Sequence, residues 1–249
     1  MRFLHYSDRH DPAFGDLYAT ADVLICTGDL AFFDLDALRK LPRDTPKFGV
    51  HGNHDDHARD PDGRPRTYME EYGIEDVHGR VVEWHGLKIG GFQGCPRYKP
   101  GSYQFDEAEA EAFAASCEPV DILLLHCGGL GLLDDADPGD PVHTGSAAIR
   151  SYILRTTPRL IFVGHQYSLA DARVGTGSIH RAYGARIVEA DPYLPLPPVT
   201  APPTPPIARY RGDDDDQVAG AWDTGRQTHS ARRGLWSVVR DVLCEPWAR

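Results

Sequence analysis

The feature that most constrains the fold is a series of short apolar runs, each of which ends in glycine or in polar residues. These runs cover residues 3–7, 23–25, 48–50, 122–125 and 160–163. Short runs of this kind, placed between helical segments, are typical of the buried strands of an α/β sheet. In such sheets ligands gather beyond the carboxyl ends of the strands. The polar residues that follow each run are therefore the first candidates for a functional site.

Other segments carry recognisable local patterns. Asp106 followed by Glu109 matches a capping box and predicts a helix through about Cys117. Residues 144–155 place apolar side chains at helical spacing and predict a second helix. Residues 81–92 alternate around Gly86 as a hairpin would, and residues 178–188 are typical of a closing pair of strands.

The chain changes character after Asp191. Residues 192–206 are dense in proline, and residues 213–216 are consecutive aspartates. Both features are typical of a linker or a solvated tail. Residues 231–243 return to an amphipathic pattern, which indicates a short helix. We therefore predict a folded domain over residues 1–192 and a proline-rich, acidic C-terminal tail over residues 193–249.

The composition excludes some classes of function. The chain has 249 residues with 26 Lys and Arg against 37 Asp and Glu, and its formal net charge of −11 disfavours a protein that coats DNA or RNA. A small phosphorylated ligand stays compatible, since bound metal ions can supply local positive charge. No apolar stretch is long enough to cross a bilayer, and the N-terminus lacks a secretory signal pattern. The five cysteines form no Cys-x-x-Cys pair, and an odd number suits a reducing compartment, so we predict a cytoplasmic location. We also predict that the protein has no membrane partner.

The residues at the predicted strand ends are side chains that bind metals. They are carboxylates, an amide and imidazoles: Asp8, His10, Asp29, Asn53, His54, His126 and His165. These oxygen and nitrogen ligands suit manganese, iron, zinc and related divalent ions. A carboxylate such as Asp29 can bridge two metals, and such a pair can clamp both the attacking and the leaving oxygen of a phosphoryl displacement. Taken singly, His126 or His165 could instead be a core histidine with satisfied hydrogen bonds.

The order and spacing of these residues resemble the five motifs of the calcineurin-like metallophosphoesterases. The matching segments are Asp8-Arg9-His10, Gly28-Asp29, Gly52-Asn53-His54-Asp55, His126 and Gly164-His165. The resemblance covers about residues 1–188, and Gly-Asn-His-Asp after a strand is its most specific part. It implies an α/β fold with two mixed β-sheets flanked by helices. It also implies a metal-dependent phosphoesterase that hydrolyses a phosphate mono- or diester.

The family pattern implies a role for each matching residue. Asp8 and His10 would bind the first metal ion, and Asp29 would bridge the two ions. The second ion would be bound by Asn53, His126 and His165. His54 would face the substrate and assist the leaving group, with Asp55 orienting it. The resemblance also implies two divalent ions, such as manganese, iron or zinc, and a metal-bound hydroxide as the nucleophile.

A phosphate ester also needs a cation or hydrogen-bond donors for its free oxygens. The small bacterial members of the family share a glycine-rich turn and Arg-Tyr, which resembles the segment from Gly94 to Tyr98 here. Arg97 and Tyr98 are therefore candidates for substrate binding. Tyr98 or Tyr103 could stack on a base, which would suit a nucleotide. The implied partner is a small phosphorylated substrate.

The last motif departs from the family pattern. The family usually has Gly-His-x-His, whose final histidine completes the first metal site, whereas this chain has Gly164-His165-Gln166-Tyr167. Tyr167 could ligate as a phenolate, water or His180 could fill the position, or the first site could be weak. We favour a weakened first site completed by water. The alternative function is a catalytically weakened protein that acts as a binding scaffold, although a scaffold would not need His54.

Overall fold

The computed structural model describes residues 1–41, 44–55, 68–134 and 142–199. Its helices are α1 (Phe14–Tyr18), α2 (Phe32–Lys40), α3 (Tyr68–Tyr72), α4 (Glu107–Ser116) and α5 (Ala147–Thr156). Its strands are β1 (Arg2–Ser7), β2 (Val23–Cys26), β3 (Lys47–Gly49), β4 (Glu75–Asp76), β5 (Val81–Trp84), β6 (Leu87–Phe92), β7 (Cys95–Pro96), β8 (Gln104–Phe105), β9 (Ile122–Leu125), β10 (Leu160–Val163), β11 (Ala170–Val174), β12 (Gly177–Arg181) and β13 (Gly184–Glu189).

Two mixed β-sheets form the centre of the fold. The first sheet has the order β13-β1-β2-β3-β4, in which β1 to β4 are parallel and β13 is antiparallel to β1. The second sheet has the order β11-β12-β10-β9-β6-β5, in which both edge strands are antiparallel to their neighbours and the inner strands are parallel. Because parallel strands end at the same edge of a sheet, the residues that follow the inner strands are collected there.

Successive side chains of the inner strands point to opposite faces of each sheet, and this alternation produces the layers of the fold. Residues such as Ile25 of β2 face a core between the two sheets, where the ring centroids of Phe3 and Phe162 lie 5.6 Å apart. Their neighbours in sequence face outwards. Leu24 packs with α1, α2 and α3 on one side, and Leu123 packs with α4 and α5 on the other. The predicted fold class, two mixed sheets flanked by helices, is confirmed.

Most of the predicted elements are confirmed. All the apolar runs are strands, the capping box of Asp106 and Glu109 opens α4, and α5 occupies most of residues 144–155. The hairpin around Gly86 is formed by β5 and β6. Residues 178–188 contain the two predicted strands, of which β12 joins the second sheet and β13 joins the first. Apolar alternation predicts a strand but does not show which sheet the strand joins.

The chain stays in contact with the domain past the predicted boundary at residue 192. The backbone amides of Leu196 and Val199 donate to the carbonyls of Thr176 and Gly175, each at 2.9 Å. The acidic run and the predicted amphipathic helix of the tail lie outside the described residues.

The described cysteines are free thiols, of which Cys26, Cys95 and Cys127 are buried. Over the part of the chain that the structure describes, none of the helices has the length and apolar character that crossing a bilayer requires.

Candidate metal centre

The candidate centre lies where strands of both sheets end. The residues that follow β1, β2, β3, β9 and β10 are, in that order, Asp8, Asp29, Asn53, His126 and His165, which we call the ligand cluster. Asp8, Asp29 and His165 have a left-handed backbone, with φ of 63°, 55° and 66°. Non-glycine residues seldom adopt this conformation, which costs roughly 1–3 kcal/mol at each position. Such strain persists only where the surrounding structure fixes it, so these strand ends are held in place from several sides.

Two glycines allow the strand ends to approach one another. A Cβ atom on Gly52 would lie 2.1 Å from Oδ1 of Asp29. A Cβ atom on Gly164 would lie 2.0 Å from Oγ of Ser7 and 2.8 Å from Oδ2 of Asp8. Non-bonded atoms do not approach this closely, so both positions require glycine. Gly164 follows β10 and Asp8 follows β1, so this contact joins the edges of the two sheets.

The structure brings five of the six predicted metal ligands together. Ligand atoms of Asp8, His126 and His165 all lie within 4.8 Å of one another. Nε2 of His126 lies 2.9 Å from Oδ1 of Asn53 and 3.4 Å from Oδ2 of Asp29. Side chains from both sheets therefore converge on one point.

The two histidines of the ligand cluster are each anchored through one ring nitrogen. Nδ1 of His126 donates to the carbonyl of Thr27 at 2.7 Å, and Nε2 of His165 donates to the carbonyl of Val142 at 2.8 Å. Because a carbonyl can only accept, these nitrogens carry the protons and the other nitrogen of each ring is left for a ligand. Histidines that bind metals usually have this arrangement.

The donor set fits a divalent cation. Nε2 of His126 faces the oxygens of Asn53 and Asp29, and the carboxylate of Asp8 lies in the same group of ligand atoms. Buried acceptors that face one another need a shared positive charge, supplied either by a proton on His126 or by a metal ion. Carboxylate, amide and imidazole groups are suitable ligands for manganese, iron or zinc. The residues present therefore fit the metal centre that the resemblance implies.

The pKa values in the ligand cluster reflect its burial and the close approach of its charged groups. Burial, reinforced by the charge of Asp29, raises the pKa of Asp8 to about 7. Burial alone would lower the pKa of His126, but the charges of Asp29 and Asp8 outweigh it and raise this pKa to about 9. Burial and the neighbouring charges of His126 and His143 hold the pKa of His165 well below its usual value. His165 is therefore neutral, which is the form that binds a metal.

His10, the sixth predicted ligand, is held by Asp34. Among the described residues, His10 is not in the group of ligand atoms that lie within 4.8 Å of one another. Its Nδ1 donates to Oδ1 of Asp34 at 2.7 Å, which leaves Nε2 for a metal. The buried Asp34 carboxylate also accepts from the hydroxyl of Tyr6 at 2.5 Å. Asp34 lies outside the recognised motifs, so no pattern in the sequence indicates this role.

Asp55 holds the loops that follow β2 and β3. Its carboxylate accepts hydrogen bonds from the backbone amides of Asp29 at 2.9 Å, Leu30 at 3.3 Å and Gly52 at 2.6 Å. The amide of His54 donates to Oδ1 of Asp29 at 2.8 Å, which fixes the backbone of His54 beside the cluster. These bonds show that Asp55 positions the backbone of both loops, and its role in orienting His54 stays a prediction.

The structure separates the two predicted substrate-binding residues. The hydroxyl of Tyr98 accepts a hydrogen bond from Nδ2 of Asn53 at 3.1 Å, so Tyr98 borders the ligand cluster. The guanidinium of Arg97 instead donates to the carbonyl of Gln104 at 2.7 Å and lies 3.6 Å from the carboxylate of Glu109. Arg97 is therefore bound within its own loop and to α4. Its contact with substrate stays a prediction.

Tyr167, at the end of the last motif, packs among aromatic rings. Its ring makes edge contacts with His143, at 4.8 Å between centroids, and with Tyr183, at 5.6 Å. His143 is buried, and its ring centroid lies 5.2 Å from that of His165. His143 lies before α5 and belongs to none of the recognised motifs, so no pattern in the sequence indicates its position beside His165.

His180 does not replace the missing histidine of the last motif. Its Nδ1 is bonded to Oδ1 of Asp171 at 2.7 Å, and its Nε2 is bonded to Oγ of Ser178 at 2.8 Å. Both ring nitrogens are thus engaged on β11 and β12. The suggestion that His180 fills the first metal site is wrong.

The comparisons with known proteins agree with the motifs. The sequence profile of the calcineurin-like phosphoesterases matches residues 1–169. No curated protein matches the chain significantly. Among solved structures, phosphopantetheinyl hydrolase from Mycobacterium tuberculosis is 17% identical, with a TM-score of 0.49 over 77% of this chain and 97% of that one. A Thermus thermophilus protein is 16% identical, with a TM-score of 0.48 over 72% of this chain and 88% of that one.

A third structure, a candidate 5′-nucleotidase from Staphylococcus aureus in complex with alpha-ketoglutarate, is 13% identical. Its TM-score is 0.47 over 89% of this chain and 58% of that one. The profile match alone spans more than half of the chain and includes all five motifs. The chain belongs to the calcineurin-like phosphoesterase family, whose members are metal-binding hydrolases.

Proposed function

We propose that this protein hydrolyses a phosphate mono- or diester of a small molecule with the help of two divalent metal ions. The observation that carries the proposal is the convergence of acceptors in the ligand cluster. Ligand atoms of Asp8, His126 and His165 lie within 4.8 Å of one another, and Asn53 and Asp29 face Nε2 of His126. The ions, when bound, supply positive charge for the phosphate oxygens and acidify water.

The proposed ligands divide between the two ions as the family pattern implies. They are Asp8 and His10 for the first ion, Asp29 as a bridge, and Asn53, His126 and His165 for the second. Two contacts support the roles of the histidines as ligands. The bond from His10 to Asp34 and the bond from His126 to the Thr27 carbonyl each fix the orientation of an imidazole ring.

His54 is the proposed acid for the leaving oxygen. Its backbone amide is bound to Oδ1 of Asp29, so its side chain starts from a fixed point beside the proposed bridge. An imidazolium can hold a proton near neutral pH and donate it to an alkoxide as the ester bond breaks. Asp55 contributes indirectly, because it fixes the backbone on which Asp29 lies.

Tyr98 is the proposed contact for the part of the substrate next to the phosphate. It is half-buried and hydrogen-bonded to Asn53. Tyr103 instead stacks on His51, with 4.6 Å between centroids and 13° between the ring planes. Of the two tyrosines considered for stacking on a base, Tyr98 is the one at the centre, and a nucleotide is a substrate that suits it.

We also propose a cytoplasmic location, with which the free thiols of the described residues agree.

The test is hydrolysis of a chromogenic phosphodiester and a chromogenic phosphomonoester by the purified protein with added manganese. We expect turnover by the parent protein and a loss of about a hundredfold in kcat/KM for Asn53→Ala, because the variant lacks one metal ligand. Should the parent show no turnover above the variant with either ester and with several divalent metals, the enzyme proposal fails. The binding scaffold would then be the better description.

Replacing Tyr167 with phenylalanine should leave the number of bound manganese ions unchanged. We propose that water completes the first site while Tyr167 packs against His143 and Tyr183. Tyr167→His should tighten the weaker ion by about tenfold, since an imidazole restores the ligand that the family usually has. Equilibrium dialysis with metal analysis measures both effects. Loss of an ion in Tyr167→Phe, or a long-wavelength charge-transfer band in an iron-loaded parent, would show that the phenolate is a ligand.

A further inference from the structure

The loop between β7 and β8 places a lysine next to the ligand cluster. Nζ of Lys99 lies 5.0 Å from the centroid of the Tyr98 ring. The hydroxyl of that ring lies 3.1 Å from Nδ2 of Asn53. A single side chain, that of Tyr98, therefore separates the Lys99 ammonium from a proposed metal ligand.

Gln104 fixes the backbone from which Lys99 extends. Oε1 of the buried Gln104 accepts hydrogen bonds from the amides of Tyr98 and Lys99, both at 3.2 Å. Gly101 packs against the other end of the same amide, since a Cβ atom there would lie 2.8 Å from Nε2 of Gln104. A lysine held at its backbone loses less freedom when its head group binds an anion.

The guanidinium of Arg97 contacts the Gln104 carbonyl and Glu109, whereas Lys99 lies over the Tyr98 ring that borders the ligand cluster. We propose that Lys99 is the cation that binds a free phosphate oxygen of the substrate, and that Arg97 holds the loop in shape. This inference rests on the proposed function and deepens it by naming the phosphate contact. The compact ammonium has rotatable donors, so it can bind an oxygen without the fixed fork that a guanidinium requires.

The experiment is calorimetric titration of inorganic phosphate into the manganese-loaded full-length protein, so its readout does not depend on turnover. We expect Lys99→Gln to weaken phosphate binding by about tenfold, the size of one charge-assisted hydrogen bond. Lys99→Arg should recover most of the loss, because it keeps the charge. Metal analysis of each variant confirms that equal amounts of manganese are bound.

Lys88→Gln is the matched control, since it removes the same charge from β6, where Lys88 pairs with Glu118 at the surface. Its phosphate affinity should equal that of the parent. Arg97→Gln should stay within about twofold of the parent, because its charge is engaged within the loop. The proposal is overturned if the parent binds no phosphate, if Lys99→Gln binds as tightly as the parent, or if Arg97→Gln loses as much affinity as Lys99→Gln. Phosphate binding that depends on Lys99, in a protein that hydrolyses neither ester, would instead refute the proposed function alone.

Discussion

Replacing Gly52 with alanine is expected to abolish manganese binding and to lower phosphoesterase activity by roughly a thousandfold. The new Cβ atom would lie 2.1 Å from Oδ1 of Asp29 and 2.6 Å from its amide nitrogen. Since Asp55 accepts from the amides of both Gly52 and Asp29, the two loops cannot move apart without breaking one of these bonds. The clash therefore displaces Asp29 and the adjacent Asn53 together. Metal analysis after dialysis and initial rates with the chromogenic esters measure the two effects.

Gly128→Ala is the matched control for this variant. A Cβ atom on Gly128 would meet the carbonyl of Leu132 and Cγ1 of Val163 at 3.6 Å, which is ordinary contact. Gly128 lies close to His126 in sequence and, like Gly52, has no left-handed backbone. The Gly128→Ala variant should keep its bound manganese and its phosphoesterase activity. If Gly52→Ala bound manganese as the parent does, the close approach of the two loops would not be required for the centre, and the assigned geometry would be wrong.

Replacing Asp55 with alanine should lower the free energy of unfolding by about 3–5 kcal/mol. The carboxylate of Asp55 is buried and accepts from the amides of Asp29, Leu30 and Gly52. Each buried amide left without an acceptor costs about 1–3 kcal/mol, and water that enters the site offsets part of the sum. Urea denaturation of the metal-free protein measures this change without a contribution from bound ions.

Asp55→Asn separates a positional role from a catalytic one. The amide side chain keeps one acceptor oxygen, so it should recover part of the stability that alanine loses. If Asp55 acts only through the backbone, the activity of each variant should follow the fraction of protein that is folded and metal-loaded. An Asp55→Ala protein with the stability of the parent but without activity would show instead that the carboxylate acts through His54.

The strand-end ligands could be predicted because their positions depend on local pattern. Asp8 and His126 each follow directly on a buried apolar run. Within each sheet, parallel strands then bring such residues to the same edge, and the packing of the two sheets brings Asp8 and His126 together. Their roles as ligands remain proposals, but their convergence with His165 within 4.8 Å is a property of the fold.

The contacts that the sequence did not predict share a physical cause, which is that neighbours in sequence need not share neighbours in space. Arg97 and Tyr98 are adjacent, yet one is bound to the Gln104 carbonyl and the other to Asn53. His180 lies in a strand close to the last motif, yet both of its ring nitrogens are bonded on that sheet. No pattern in the sequence specifies these long-range partners.

The sequence by itself determined the alternation of buried strands and helices, the order of the five motifs and the set of side chains able to bind divalent ions. These properties depend on residue type and on short spacings, which local chemistry controls. Only the tertiary structure decided that Asp55 holds the backbone, that Asp34 supports His10 and that Lys99 lies beside Tyr98. Those assignments depend on hydrogen bonds and charges between loops that are distant in sequence, and only the packing of two sheets brings those loops into contact.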